Sequence, residues 1–183
     1  MQVAASIFKA YDIRGVVPTT VTADVARAIG RAFGTRARQL GSHTVALHGL
    51  VRTFQNVRLF KNMTALENLL VAQHRHLRTN LLAGLFKTAS YRASEAKALE
   101  NALYWLDYMG LREFANRPAG NLAYGHQRRL EIARCMVTQP RVLMLDEPAA
   151  GLNPQEKKDL QGLIGKLRDE FGVAVLLIEH DMG

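Results

Sequence analysis

The sequence predicts an α/β fold: part of a parallel sheet with a helical subdomain, preceded by a short β-α-β fragment. Three observations carry this. VLMLD (142–146) and VAVLLIEH (173–180) are apolar runs of strand length, and the segment between them has helical spacing. Apolar strands joined by a helix form parallel sheets covered on both faces, with a right-handed crossover. The stretch 62–112 carries apolar residues at helical intervals instead of alternating.

The elements follow in chain order. IFKAYDIRG reads as a short strand and a Gly turn. Thr22 caps a helix through ADVARAIGRAF that Gly34 stops, and HTVAL is a β-branched run. Around 47–52 the character changes. Thr64-x-x-Glu67 is a capping box opening the helix that contains ENLLVAQHRHL. A loop with Gly84 and Lys87 separates it from SEAKALENALYWLDYMGL. There Ala98, Ala102, Leu103, Leu106 and Met109 share a face and Gly110 ends the helix. GHQRRLEIARCMV is a further helix. Asn153-Pro154-x-Glu156 supplies an N-cap, a proline at the first position and an acid in the first turn of PQEKKDLQGLIGKLRDEF, which Gly172 stops.

Composition narrows the function. The chain has 183 residues, 48% hydrophobic and 22% charged, which suits one domain with a core. It has no apolar run of transmembrane length and no apolar region of signal-peptide length at the start, so a cytoplasmic protein is expected. A single cysteine, Cys135, excludes an intramolecular disulfide and a multi-cysteine zinc site, and it reads as a buried helix thiol. The net charge of +8 is spread along the chain. With no zinc-finger spacing and no aromatic RNA-binding motif, it reads as a solvated, Arg-rich surface, and no nucleic-acid partner is expected.

The chemistry gathers where strands end. In parallel α/β sheets ligands sit beyond the carboxyl ends of the strands, and Asp146–Glu147 and Glu179–His180 both fall there. On one shared rim, Asp146 would hold Mg²⁺ through water, Glu147 would polarise an attacking water and His180 would contact a terminal phosphate. For the acidic pair alone, a solvated loop is the plain alternative. LAYGHQRRLEIAR, from Leu122, runs a small-residue turn into a helix start. Gly125 admits a close approach, and the free N–H groups suit an anion. Here an ordinary helix cap is the plain alternative. Gln55 follows a short apolar segment in RTFQNVRLF.

Taken together these segments resemble an ATP-binding-cassette (ABC) ATPase, a P-loop NTPase, of the kind that serves branched-chain amino acid importers. The resemblance runs from about Gly49 to Met182. RTFQN resembles the Q-loop, LAYGHQ the signature motif, VLMLDEP the Walker B strand, AGLN the D-loop and IEHDM the switch-histidine segment. It implies ATP and Mg²⁺ as cofactors, with Glu147 as general base, His180 on the γ-phosphate and Asp146 on the metal. Gln55 would lie at the metal and couple the site to the transport subunits. Leu122, Ala123, Tyr124, Gly125, His126, Gln127 and Asn153 would face nucleotide. Membrane permease subunits and a second ATPase subunit would be partners, which puts the chain at the inner face of the cell membrane. The helical subdomain would span about 62–117 and the α/β part about 118–183. A non-catalytic module docking on a permease or an intact ATPase subunit is the competing reading.

Two departures from the family pattern stand out. No G-x-x-x-x-G-K-[ST] phosphate cradle (Walker A) occurs. The nearest string, GLIGKL (162–167), has its glycines too close, no Ser or Thr after Lys166, and lies inside a helix. Weak or absent ATP binding is therefore expected. Where the family has its first strands, IFKAYDIRGVVPTTVTADVARAIGRAFG resembles the amino terminus of phosphomannomutase/phosphoglucomutase, over about 1–47. The resemblance puts Tyr11 and Arg14 in that family's cleft, but the phosphoserine and metal loops are absent, so at most an inactive mutase fragment is implied. The chain reads as two fragments joined near Leu47–Val51, the second a truncated cassette over 48–183. Its sheet is expected to leave edges and core faces uncovered, with edge filling by the first piece as the lesser alternative.

Overall fold

The computed structural model describes residues 8–9, 12–13, 49–53, 57–73 and 89–178. Gln55, His180, Tyr11, Arg14, the helix from Thr22, HTVAL and the Gly84–Lys87 loop lie outside them. The described strands are β1 (Phe8–Lys9), β2 (Asp12–Ile13), β3 (Leu50–Arg52), β4 (Val142–Asp146) and β5 (Ala174–Ile178). The described helices are α1 (Ala65–Gln73), α2 (Ala89–Tyr108), α3 (Tyr124–Met136) and α4 (Pro154–Phe171), with 3₁₀ turns at Arg112–Phe114 and Ala119–Asn121. The chain forms two compact units: 1–52 with 140–149 and 157–183, and 53–139 with 150–156.

The first unit holds the sheet, in the order β1-β2-β5-β4-β3. β3, β4 and β5 run parallel, as their apolar composition predicts. β4 lies between the other two and is its deepest strand, with Leu143 and Leu145 at 0% exposure. The carbonyl of Gly49 accepts the N–H groups of both Arg141 and Val142, at 2.8 and 3.0 Å, which sets the β3–β4 register. From α4, Leu160 and Leu167 are buried, with Leu163 and Ile164 half-buried between them, a stripe at 3- and 4-residue intervals.

Two expectations are corrected here. β5 is not covered throughout: Leu177 and Ile178 are 45% and 42% exposed, because they stand at the carboxyl rim where the strand leaves the core. And IFKAYDIRG is not one strand with a turn. Phe8–Lys9 and Asp12–Ile13 form an antiparallel pair, and Asp12 continues the sheet in parallel register with Val175. The first piece thus fills the β5 edge, the outcome the sequence made the lesser one. The reason is that β5 offers a row of N–H and C=O groups on that side, and any extended segment able to reach it satisfies them.

The second unit is helical, and its helix ends are closed by local chemistry. The predicted capping box at α1 is present: the Thr64 N–H donates to Glu67 Oε2 at 2.8 Å and the Glu67 N–H to Thr64 Oγ1 at 3.1 Å. The Thr64 N–H, and the Thr64 hydroxyl donating to the same Oε2 at 2.9 Å, hold the Glu67 carboxyl below its ordinary range. The next two N–H groups, of Ala65 and Leu66, donate to the carbonyls of Arg117 and Ala115 at 3.0 Å each. The first turn therefore has no orphan donor. At the other end of α2, Gly110 has φ +68°. Its N–H donates to Asp107 O, and the Leu111 N–H donates to Leu106 O at 2.7 Å. That is a Schellman closure, with Leu106 and Leu111 both at 0% exposure as its apolar contact. Ala98, Ala102 and Met109 are buried as predicted, and Trp105 joins them; Leu103 is only half-buried. Between α1 and α2, buried Gln73 donates to Ala98 O at 2.9 Å and accepts from Asn101 at 2.8 Å.

Two outcomes follow. Gly110→Ala places a Cβ in the left-handed region and is expected to cost about 1–2 kcal/mol, measured by urea unfolding. Cys135 is a buried thiol as predicted, and burial, then the Glu131 charge, pushes it up from 9.0 to about 12. A raised value means the thiol's contribution is intact below pH 9.0 and is lost as pH rises towards 12. A thiol reagent near neutral pH should therefore modify Cys135 only at the rate of unfolding. Labelling of the folded chain as fast as in denaturant would contradict this.

Candidate functional site

In the first unit the candidate chemistry sits where β4 ends. Asp146 closes the strand with its side chain 18% exposed. Side chains alternate along a strand, so Asp146 shares a face with Met144, and Met144 is the parallel partner of Arg52. Arg52 Nη2 accordingly reaches Asp146 Oδ2 at 2.5 Å. Sequence reading missed this arginine. It is 94 residues away, and only the strand register reveals the pair.

Glu147 follows with φ 45°, a left-handed conformation that costs a non-glycine residue on the order of 1 kcal/mol. Its N–H donates to Ile178 O at 2.8 Å, so the turn is fastened to the carboxyl end of β5. Asp146 and Glu147 are hard oxygen donors of the type Mg²⁺ accepts, in the number it usually takes from protein. Among the described residues no group of three or more His, Cys, Asp or Glu is gathered.

In the second unit the turn before α3 takes shape from Leu122 onward. Leu122 is 5% exposed, so its side chain serves the core instead of facing a ligand. Gln127 is half-buried, its Nε2 donating to Leu122 O at 2.8 Å. Ala123 occupies the N-cap position, and no side chain caps the helix there. The exposed part of the motif is Ala123 and Tyr124, with Gly125, His126 and Gln127 half-buried. Tyr124 is 43% exposed and lies under the Arg128 guanidinium, 5.3 Å from its ring centroid. The His126 ring stacks on Phe114 at 4.8 Å, and Arg117 lies 5.0 Å from the same Phe114 centroid.

Asn153 is the predicted N-cap of α4. Its Oδ1 accepts the Glu156 N–H at 2.8 Å, and its own N–H donates to Glu156 Oε2 at 3.0 Å. A Cβ on Gly125 would stand 2.9 Å from Glu156 Oε1. Gly125 thus allows the α3 turn and the Asn153 cap to meet. The sequence marks Glu156 only as an acid in the first turn, and its proximity to Gly125 is invisible there. The GLIGKL string lies within α4, four residues or more from either end, where its N–H groups belong to the helix ladder. It offers phosphate no cradle, as predicted.

The comparisons with known proteins bear on these pieces together. A family model described as ABC transporter matches residues 28–150. The chain belongs to the ABC transporter family. The match begins upstream of Leu47–Val51, where the sequence changes character. This ABC chain is 68% identical over 152 residues to BraF of Pseudomonas aeruginosa, a high-affinity branched-chain amino acid transport ATP-binding protein, covering 83% of this chain and 60% of BraF. It is 62% identical over 143 residues to LivG of Escherichia coli K12, which bears the same description, covering 78% of this chain and 56% of LivG. The chain thus spans little more than half the length of these relatives. An ATP-binding cassette of an ABC transporter in its ADP conformation superposes with TM-score 0.61 at 32% identity, over 76% of this chain and 54% of that one. A dimeric bacterial ABC cassette superposes with TM-score 0.64 at 21% identity, over 86% and 71%, and shares the fold. The α/β architecture is that of an ABC ATPase.

The magnitudes separate scaffold from rim. Leu145→Ala removes a side chain at 0% exposure and should cost about 2–5 kcal/mol. Arg52→Met removes an ion pair whose arginine is 54% exposed and should cost less than about 1 kcal/mol, a loss that shrinks in roughly molar salt. Chemical unfolding at two salt concentrations checks both.

Proposed function

We propose that the chain derives from the ATP-binding subunit of an importer for branched-chain amino acids, at the inner face of the cell membrane. The observation that carries this is the 68% identity to BraF across 83% of the chain. The placement of Asp146 and Glu147 at the carboxyl end of β4, between two parallel neighbours, supports it. In this reading Asp146 holds Mg²⁺ and Glu147 is the general base, with His180 on the γ-phosphate. Gln55 couples the metal site to the permease, while Leu122–Gln127 and Asn153 meet nucleotide held by a second ATPase subunit.

The phosphate side does not fit. No residue run in the chain has the spacing of the phosphate cradle, and the nearest one is a helix interior. Phosphate binding in such sites depends on consecutive free backbone N–H groups and a lysine. The Arg52 guanidinium also takes one oxygen of Asp146. The reading is therefore of an impaired site, in which the strand pair Phe8–Lys9 and Asp12–Ile13 lends the sheet an edge; the family match from residue 28 leaves no ground for a phosphohexomutase-like segment running to residue 47.

The closed network of the helical unit favours a second use, as a docking module for the permease or for an intact ATPase subunit. One pair of measurements divides the readings. Equilibrium dialysis with Mg-ATP should detect no binding at micromolar nucleotide, and a micromolar Kd would overturn the impairment. Capture of importer permease subunits by the same sample supports the docking use, and failure by a folded sample removes it.

A further inference from the structure

Arg52 and Asp146 meet because β3 and β4 run in parallel register. Arg52 pairs with Met144, and Asp146 lies two residues farther along the same face, roughly 6–7 Å away. An arginine stem spans that distance, and Nη2 reaches Oδ2 at 2.5 Å. The two partners stand differently towards water. The Asp146 side chain is 18% exposed and that of Arg52 is 54% exposed. A carboxylate withdrawn that far from solvent needs a positive partner, whereas a guanidinium at the surface returns to water at little cost. Arg52 is therefore the replaceable member of the pair.

The turn that follows does not depend on the arginine. The Glu147 N–H is bonded to Ile178 O, so the acidic pair keeps its backbone position when the guanidinium swings away. A divalent cation takes carboxylate oxygens and completes its shell with water. Guanidinium and cation are like charges drawn to one carboxylate, so each weakens the hold of the other. We infer that Arg52 is a built-in counter-ion on the cation-binding oxygen of Asp146, and that a divalent cation binds there in competition with it. The chain thereby holds its metal donor closed with its own side chain. That Asp146 takes a divalent cation rests on the function proposed above, whereas the pairing rests on strand register alone.

The test uses the full chain and Mn²⁺ alone, without nucleotide. Bound Mn²⁺ is read from the loss of the free ion's EPR signal. Exposed ion pairs are weak, so Arg52→Met should tighten Mn²⁺ binding by about two- to fivefold. Arg52→Lys keeps the charge and should stay near the parent, and Asp146→Asn should lose the site. Arg141→Met controls for net charge. Arg141, just before β4, stands roughly 16 Å back from Asp146 along the chain, beyond a Debye length at physiological salt, and its loss should leave the affinity as it is. A second readout needs no substitution at Arg52: phenylglyoxal modification located by mass spectrometry. Saturating Mn²⁺ should speed modification of Arg52 at least about threefold, as should Asp146→Asn, with Arg141 unchanged. Equal affinity in the parent and Arg52→Met, or an equal gain in Arg141→Met, would overturn the inference. If Asp146→Asn still loses the site in that case, the proposed metal role of Asp146 survives. Should no form bind Mn²⁺, the metal role fails and the competition fails with it.

Discussion

Everything in the first unit depends on the pairing of β4 on both sides. A strand in the middle of a parallel sheet has its backbone groups satisfied by two neighbours and its side chains removed from water. Leu143 and Leu145 meet that condition at 0% exposure. The strand then has to end where polar groups can meet solvent, and it ends on Asp146. The acidic pair is a consequence of that geometry, since the first residues able to carry charge are those just past the last buried leucine. Fastening of the Glu147 turn to Ile178 O extends the same logic to the neighbouring strand.

The second unit is organised by a different constraint. Its connecting segments are irregular, so their backbone groups and those of the helix ends need partners that regular structure does not provide. They find them in Thr64 and Glu67, in the carbonyls of Ala115 and Arg117, and in Asn68, Glu131 and Arg134. Asn68 and Glu131, the buried ones among these, are not defects of the core. Each answers a specific orphan group.

Local spacing made much of this readable. The capping box at Thr64, the N-cap at Asn153, the Gly110 stop and the apolar strands β4 and β5 depend on residues within one or two turns of each other, and all are legible in the sequence. What sequence could not reveal involves partners far apart along the chain. Arg52 meets Asp146 only through strand register, and Arg134 meets Arg58 across 76 residues. The exposure of Leu177 and Ile178 was misread because apolar composition reports burial on average, not at the rim. The strand pair at Phe8–Ile13 was underrated because two-residue strands have no periodicity to detect. In the turn before α3, the family resemblance implies that Leu122 faces nucleotide, whereas its side chain is buried.

The carboxylate of Glu156 stands where the first turns of α3 and α4 come together. It closes the start of α4 and leaves the α3 turn just enough room for a residue without a side chain. Positions 125 and 156 are therefore not free to drift separately. A lineage that acquires bulk at the first must shorten or reorient the second, and then find another way to begin α4. Related sequences should accordingly record the two sites as a linked pair, with glycine retained wherever the acid is.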